Sequence, residues 1–364
     1  GHRSTQLGGG MATYSTEITA GLRKRGHHVT FFHHGLDAEP PGSPPEDSVS
    51  LESMPLVKPL VLQGPRARRT LVDRLERRDF DLVHASFWFS SLDFNLPKTC
   101  HRLGIPIVAT FHVAFDRRLS LWGGLTNATY RLYAPALSEC DRVIVFGAAQ
   151  RDLLAALGVP EERLVVLPNG VAVDKYRPGE TDWKRRLQAE TLFVYMGRVD
   201  SEKNVDELIQ AYLAAQPPPG CRLVIMGNGT ERKRLQRQYR DARVLFLGHI
   251  ADEDQRIGIL RAADGFFLPS SVEGLSLSML EAMACGAPTV ATDVGGDGDA
   301  LRGAGIVIDP ANLREELELA FRELLELTWL RPELGRRARE RTVERFSLTA
   351  NLDRLIELYQ SLGK

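Results

Sequence analysis

"TLFVYMGRVDSEKNVDELIQAY", residues 191–212, holds in one stretch the unit from which the chain is built. An apolar run, TLFVYMG, ends in a polar turn that carries Arg198 and Lys203, and a helical pattern follows. A run without polar alternation marks a strand buried on both faces, as in a parallel sheet covered by helices. The order repeats downstream at CRLVIMG (221–227), RVLFLG (243–248), DGFFLP (264–269), PTVAT (288–292) and GIVI (305–308). Upstream it occurs at HVTFF (28–32), DLVHAS (81–86), IPIVATF (105–111), DRVIVF (141–146) and RLVVL (163–167). Met11, Tyr14, Ile18 and Leu22 recur at three- and four-residue steps and predict a helix over about 11–25. Further helices are predicted over about 66–78 and 148–157.

At 364 residues the chain is too long for one ordinary core. The alternation predicts an α/β protein of two doubly wound domains, joined near the polar stretch KYRPGETDWK (175–184). The expected bounds are 1–178 and 179–346, with a C-terminal helix over 347–364 that can cross back to the first domain. PEDSVSLESMPLVKPL (45–60) has turn signals and no clear period, and reads as a variable loop. A doubly wound domain normally opens on an apolar central strand, whereas this chain opens on GHRSTQLGGG. Either the true first strand lies outside this numbering or another segment takes its place.

A net charge of −1 speaks against a nucleic-acid binder. With 43% hydrophobic and 26% charged residues, the chain reads as globular and soluble. Cys100, Cys140, Cys221 and Cys285 are far apart, without a C-x-x-C pair. Neither a zinc site nor a disulfide framework is expected, and a reducing cytoplasm fits. No run approaches the length of a spanning helix, and no signal-peptide core is visible. G-x-G-x-x-G, the P-loop pattern, G-x-S-x-G and H-E-x-x-H are all missing, which disfavours the chemistries they serve.

Ligands of parallel α/β sheets bind beyond the carboxyl ends of the strands, so the segments there are the candidates. LGGGM (7–11) leads glycines into a helix; it suits phosphate contact or is a flexible chain start. Arg198 and Lys203 flank a turn; they suit a diphosphate or form a solvated turn. In FLPSSVEGLSLSMLEAMACGAP (267–288), Glu273 and Gly274 occupy a loop, and Ser276 is a good N-cap. Glu281 then falls in the second helical turn. The free N–H groups of Leu275, Ser276 and Leu277 face the same space, where the two carboxylates can accept hydroxyl bonds. The bland alternative, an exposed loop and helix, fits poorly with so apolar a helix. His112 ends the run ATFHVAFD (109–116); it is a satisfied core histidine or a site residue.

The E-x7-E pair of Glu273 and Glu281, preceded by LPS and followed by EAMACGAPTVAT, resembles the signature of retaining glycosyltransferases of family 4. GGGMATYSTEITAGLRKRGHHVTFF, VLPNGVAVDKYRP (166–178), YMGRVDSEKNVDELIQAY (195–212) and VATDVGG (290–296) are similar to other parts of that family, so the likeness covers most of the chain. The resemblance implies the GT-B fold, two Rossmann-like domains facing a central cleft. It also implies transfer of a hexose from a nucleotide sugar, UDP-hexose before GDP-hexose, to an acceptor hydroxyl in an α-linkage. In such enzymes attack is from the front face, no metal or other cofactor is required, and the leaving phosphate helps deprotonate the acceptor.

The resemblance assigns the roles residue by residue. Arg198 and Lys203 hold the diphosphate, and Glu281 the ribose hydroxyls. Glu273 contacts the donor sugar, with Gly274 and the backbone of Leu275, Ser276 and Leu277 beside it. Gly9 and Gly10 approach the diphosphate, His112 lies near the reacting sugar, and the base packs near Gly227 and Ile250. Glu273, His112, Arg198 and Lys203 are the catalytic set. The stretch VGGDGDALRGAGIVIDP (294–310) departs from the family, and Asp297 or Asp299 is the candidate to replace its usual acidic residue.

The acceptor expected is a sugar, glycan or lipid intermediate. PRARRTLVDRLERRD (65–79), with six arginines against three acids, and FDRRLSLWGG (115–124), with Arg117, Arg118, Leu119, Leu121 and Trp122, suit peripheral contact with the inner face of an anionic membrane. Solvated faces are the alternative, since RPELGRRARERTVERF (331–346) is as rich in arginine. A sugar-nucleotide epimerase or phosphorylase of similar fold, or a non-catalytic nucleotide-sugar binder, are the other functional readings.

Overall fold

The computed structural model describes residues 5–34, 48–51, 53–57, 60–77, 80–114 and 121–363. The chain divides into two units, the second spanning Asn169–Leu348 and the first taking the chain up to Pro168 together with Thr349 onward.

The first unit opens on α1 (Thr5–Lys24), which buries Ala12, Tyr14 and Leu22. A parallel pair follows, β1 (Phe31–His34) with β2 (Ser48–Leu51), and then an antiparallel pair, β3 (Ser53–Val57) with β4 (Leu60–Gln63). The region read as a loop, 45–60, thus holds strands. Ser48 to Leu51 alternates polar with apolar and buries only Val49 and Leu51, a period too short to register in the sequence. After α2 (Pro65–Arg77) come β5 (Val83–Phe87), α3 (Leu96–Arg102), β6 (Ile107–Phe111), α4 (Leu121–Ser138), β7 (Arg142–Val145), α5 (Ala148–Ala156) and β8 (Leu164–Val166). The four strands form a parallel sheet in sequence order. All five residues of β6 are buried, as a strand covered on both faces requires.

The second unit alternates helix and strand as far as α12. Its elements are α6 (Trp183–Arg186), β9 (Thr191–Met196), α7 (Val205–Ala214), β10 (Cys221–Met226), α8 (Arg232–Gln238), β11 (Val244–Gly248), α9 (Glu253–Ala262), β12 (Gly265–Leu268), α10 (Leu277–Ala284), β13 (Thr289–Thr292), α11 (Asp297–Leu301), β14 (Ile306–Ile308), α12 (Leu313–Glu326) and α13 (Leu330–Arg345). The strands form one six-stranded parallel sheet, ordered β11-β10-β9-β12-β13-β14. Leu317, Ala320, Phe321 and Leu324 are the buried stripe of α12, and Phe321 stacks on Phe267 of β12 at 4.0 Å between ring centroids.

α14 (Leu348–Gln360) returns to the first unit. Leu355 joins Val108, Ile144 and Leu167 in a buried cluster, Leu352 presses on Gly21, and Arg25 pairs with Asp353 at 2.9 Å. The boundary between units lies at 168/169, ten residues before the sequence-based one. The intervening stretch is polar, yet its groups are bound by the second unit. Arg339 Nη1 donates to the carbonyls of Val173 (2.9 Å), Tyr176 (2.8 Å) and Ala284 (3.0 Å), and Tyr176 donates its hydroxyl proton to Glu253 (2.9 Å).

The glycine run also differs from expectation. Gly8, Gly9 and Gly10 lie inside α1, which starts upstream of the predicted helix. Helical glycine costs only about 1 kcal/mol per residue, and in a helix each N–H finds a carbonyl four residues back. The run is therefore no anion-binding loop in this structure. All four cysteines are free and buried. No helix of the described residues is long and apolar enough to cross a membrane.

Candidate functional site

Strand order singles out one place in the second unit. β9 has β10 on one side and β12 on the other, so the chain reverses its direction of sheet growth there. Such a switch point opens a crevice at the carboxyl ends of the two central strands. The segment after β9 carries Arg198 and Lys203; the segment after β12 carries Glu273.

Local hydrogen bonds hold the two segments together. Ser271 N–H donates to the carbonyl of Glu202 at 2.8 Å. Asn204, in the left-handed region at φ 50°, donates from Nδ2 to the carbonyl of Pro269 and to Ser271 Oγ, both at 2.8 Å. These bonds carry Lys203 to Glu273: Nζ donates to Oε1 at 2.5 Å, with 11% and 15% of the two side chains exposed. Ser270, fully buried, gives Oε1 a second bond at 2.8 Å. Arg198 is more open and is held by Asp200 and, at 2.5 Å, by Glu202.

The carboxylate turn runs directly into α10. Ser276 is its N-cap, accepting from Met279 N–H at 3.4 Å, and Glu281 sits in the second helical turn, as the sequence predicts. The N–H groups at the helix start carry partial positive charge and point out of the helix end. The turn after β13 closes against this one. Gly296 N–H donates to the carbonyl of Gly274 at 2.6 Å. Gly295 has φ +56°, and a Cβ there would lie 2.0 Å from the carbonyl oxygen of Glu273. Gly227, at φ +137°, is packed as tightly, its missing Cβ falling 1.8 Å from the carbonyl oxygen of Gly197. Glycine is thus required at both contacts.

Two residues that the sequence reading did not assign to this turn support it. Asn169 Nδ2 donates to the carbonyl of Leu275 at 2.7 Å from a buried position. Asp297, 1% exposed, accepts Ser276 N–H on Oδ1 at 2.8 Å. Burial raises the Asp297 carboxyl well above its ordinary range, and the negative charge of Glu273 adds to that. Asp299, the other candidate, has 63% of its side chain exposed and faces Arg302. Nothing in the local pattern separates the two aspartates; only burial does.

In the first unit, His112 follows β6, and its ring packs edge-on against Tyr14, with centroids 4.9 Å apart, and beside Phe146 at 5.3 Å. Asp93, in the loop after β5, was not foreseen. Its Oδ2 accepts from Trp88 N–H, Ser90 N–H and the Tyr133 hydroxyl at 3.0, 3.1 and 2.9 Å. Burial pushes its carboxyl up to about 7 against the pull of those donors. Gly9 and Gly10 belong to the first unit, and Ile250 follows β11 in the second. Arg117, Arg118 and Leu119, and the side chains of Leu121 and Trp122, lie outside the described residues.

A basic and acidic pair thus stands at the switch point, beside a capped helix start. Residues 8–175 match Glycosyltransferase Family 4, and residues 180–341 match Glycosyl transferases group 1. The chain belongs to this glycosyltransferase family and is an enzyme of GT-B fold with two Rossmann-like units. It is 30% identical to the glycogen synthase of Mycobacterium tuberculosis over 79% of this chain and 70% of that one. It is also 30% identical to the D-inositol 3-phosphate glycosyltransferase of Rhodococcus opacus, over 77% of this chain and 67% of that one. Among solved structures, sucrose-phosphate synthase from Thermosynechococcus elongatus matches with a TM-score of 0.77 at 23% identity, covering 97% of this chain and 94% of the other. Anabaena HepE in complex with UDP-glucose matches with a TM-score of 0.68 at 20% identity, covering 81% and 82%.

Proposed function

We propose that the enzyme moves a hexose from a UDP-hexose to an acceptor hydroxyl with retention of the α-configuration. The observation that carries this reading is the Lys203–Glu273 pair at the switch point, next to the N-capped start of α10. A nucleotide diphosphate needs positive charge and N–H donors; a sugar needs a carboxylate that accepts hydroxyl protons. In this reading Lys203 turns to the diphosphate with Arg198, Glu273 takes donor-sugar hydroxyls, and Glu281 takes the ribose. Gly227 and Ile250 border the base. The N–H groups of Gly274, Leu275 and Leu277 face the sugar and phosphate, whereas Ser276 N–H, expected free, is held by Asp297.

Charge on the leaving nucleotide is stabilised by these fixed groups, so turnover needs no metal. The hydroxyl of the acceptor attacks the face that the nucleotide leaves, and the leaving phosphate takes its proton. The first unit binds the acceptor, with His112 as its site residue. UDP is favoured because Anabaena HepE is solved with UDP and UDP-glucose. Relatives named for glycogen and for D-inositol 3-phosphate favour a sugar or polyol acceptor.

Nucleotide release from a panel of UDP-, GDP- and ADP-sugars, with sugar and polyol acceptors, tests the reading. UDP release with an α-linked product by NMR, undiminished by EDTA, is the expected result. An altered sugar formed without acceptor identifies an epimerase instead. Glu273→Ala at full turnover removes the assigned role.

A peripheral contact with an anionic bilayer, and with it a lipid acceptor, is supported by α2. Arg66, Arg68, Arg69, Arg74 and Arg77 are exposed there while Ala67, Leu71 and Leu75 are buried. Salt-sensitive co-sedimentation with phosphatidylserine vesicles is expected, and is lost on changing these arginines to glutamine.

A further inference from the structure

Asp297 stands out among the buried polar groups of the second unit. It is 1% exposed, one oxygen holds Ser276 N–H at 2.8 Å, and Oδ2 is buried with no hydrogen-bond partner among the described residues. It begins α11, directly after the glycine turn that presses on Glu273 and Gly274. It therefore lies behind the very turn that supplies Glu273.

We propose that Asp297 is a positioning residue of the donor site, which fixes the Glu273–Ser276 turn and the start of α10 through its hydrogen bond to Ser276. The proposal rests on the donor-site reading given above. The side chain reaches across from the β13 turn to the β12 turn, and the Gly296 N–H bond to Gly274 runs beside it. Without the carboxyl, Ser276 N–H loses its acceptor in a buried place, and such a loss lets a turn move.

Burial and the charge of Glu273 both favour the neutral form of Asp297. The charged groups that face it are Glu273 and Lys203, and burial is the largest influence on it. An unpartnered oxygen is far cheaper to bury on a carboxylic acid than on a carboxylate. Neutrality also matters for the ligand. An ionised Asp297 would set two carboxylates against Lys203 and repel a diphosphate; a neutral one leaves Glu273 as the one negative charge matched to Lys203.

Asp297→Asn and Asp297→Ala test this, because asparagine keeps the accepting oxygen and carries no charge. Three measurements apply: amide hydrogen exchange of the Ser276 region in the ligand-free enzyme, KM and kcat with UDP-glucose, and the melting temperature. Asp297→Asn is expected to keep Ser276 protection and to hold the donor KM within about threefold of the parent, with the same pH profile between about pH 6 and 8. Asp297→Ala is expected to lose protection at Ser276 by about tenfold and to raise the donor KM by at least as much. Its kcat should fall less, and β9 amides should keep their protection. Equal damage from both variants, or full Ser276 protection in Asp297→Ala, overturns the proposal. If the parent turns over no nucleotide sugar, the donor reading fails, while the exchange comparison still decides whether Asp297 holds the turn.

Discussion

Lys203→Met is the sharpest single perturbation of the second unit. The ammonium lies 2.5 Å from Glu273 Oε1, with only 11% and 15% of the side chains exposed. At an effective dielectric constant of about 20, Coulomb's law gives a gross attraction of about 7 kcal/mol at that distance. Much of this offsets the desolvation of both ions, so the pair's net worth is far smaller. Removing one partner is different, because the other charge stays buried: such losses run to about 3–5 kcal/mol. Ser270 Oγ still bonds Glu273 at 2.8 Å, which places the expected loss near the low end, about 3 kcal/mol. For a unit of this size that lowers its melting temperature by about 6–12 °C. Hydrogen exchange of β9 and β12 amides reads the opening of this unit by itself. Lys203→Met/Glu273→Gln removes both charges and should recover at least about 2 kcal/mol relative to the sum of the single changes. A loss below about 0.5 kcal/mol in Lys203→Met, or strict additivity in the double variant, would falsify the buried-pair argument.

Gly295→Ala should cost more than about 2 kcal/mol and depress donor-dependent turnover, because its methyl meets the Glu273 carbonyl at 2.0 Å from a positive φ; unchanged melting would refute the close contact. Asn169→Ala should cost about 1–3 kcal/mol and raise the donor KM, as the buried carbonyl of Leu275 loses its donor; calorimetry and kinetics on one preparation check both. Leu355→Ala should destabilise the first unit by about 2–5 kcal/mol and leave the second unchanged, since the side chain is fully buried on Val108, Ile144 and Leu167. His84 gives a pH test: Nε2 bonds Thr110 Oγ1 at 2.7 Å, Nδ1 bonds the Tyr359 hydroxyl, and burial lowers the ring to about 4. Between pH 6.5 and 4 the unfolded chain then binds the extra proton. Stability is full above that window and falls as pH drops through it, by up to about 3 kcal/mol. His84→Gln should flatten the fall in urea midpoints.

Repetition of strand and helix is local information, and it was legible throughout the second unit. Each apolar run from TLFVYM to GIVI is a strand, and Ser276 caps the helix that carries Glu281. Those outcomes depend on side-chain period and on hydrogen bonds a few residues apart, which a sequence displays directly. The short alternation of Ser48 to Leu51 and the glycine-bearing start of α1 were misread for the same reason. There the local signal is weak, and pairing with a distant strand or helical bonding through glycine decides the outcome.

By itself the sequence determined the class of fold, the family and the segments that carry the candidate residues. Only the tertiary structure decided which of those segments meet. Lys203 and Glu273 are seventy residues apart and touch because β9 lies beside β12 in the sheet. Asp297 differs from Asp299 only in being buried by the turn after β12, and α14 covers a sheet formed some two hundred residues earlier. Strand order and burial are set by the free energy of the whole packed unit. No local pattern of residues carries that quantity.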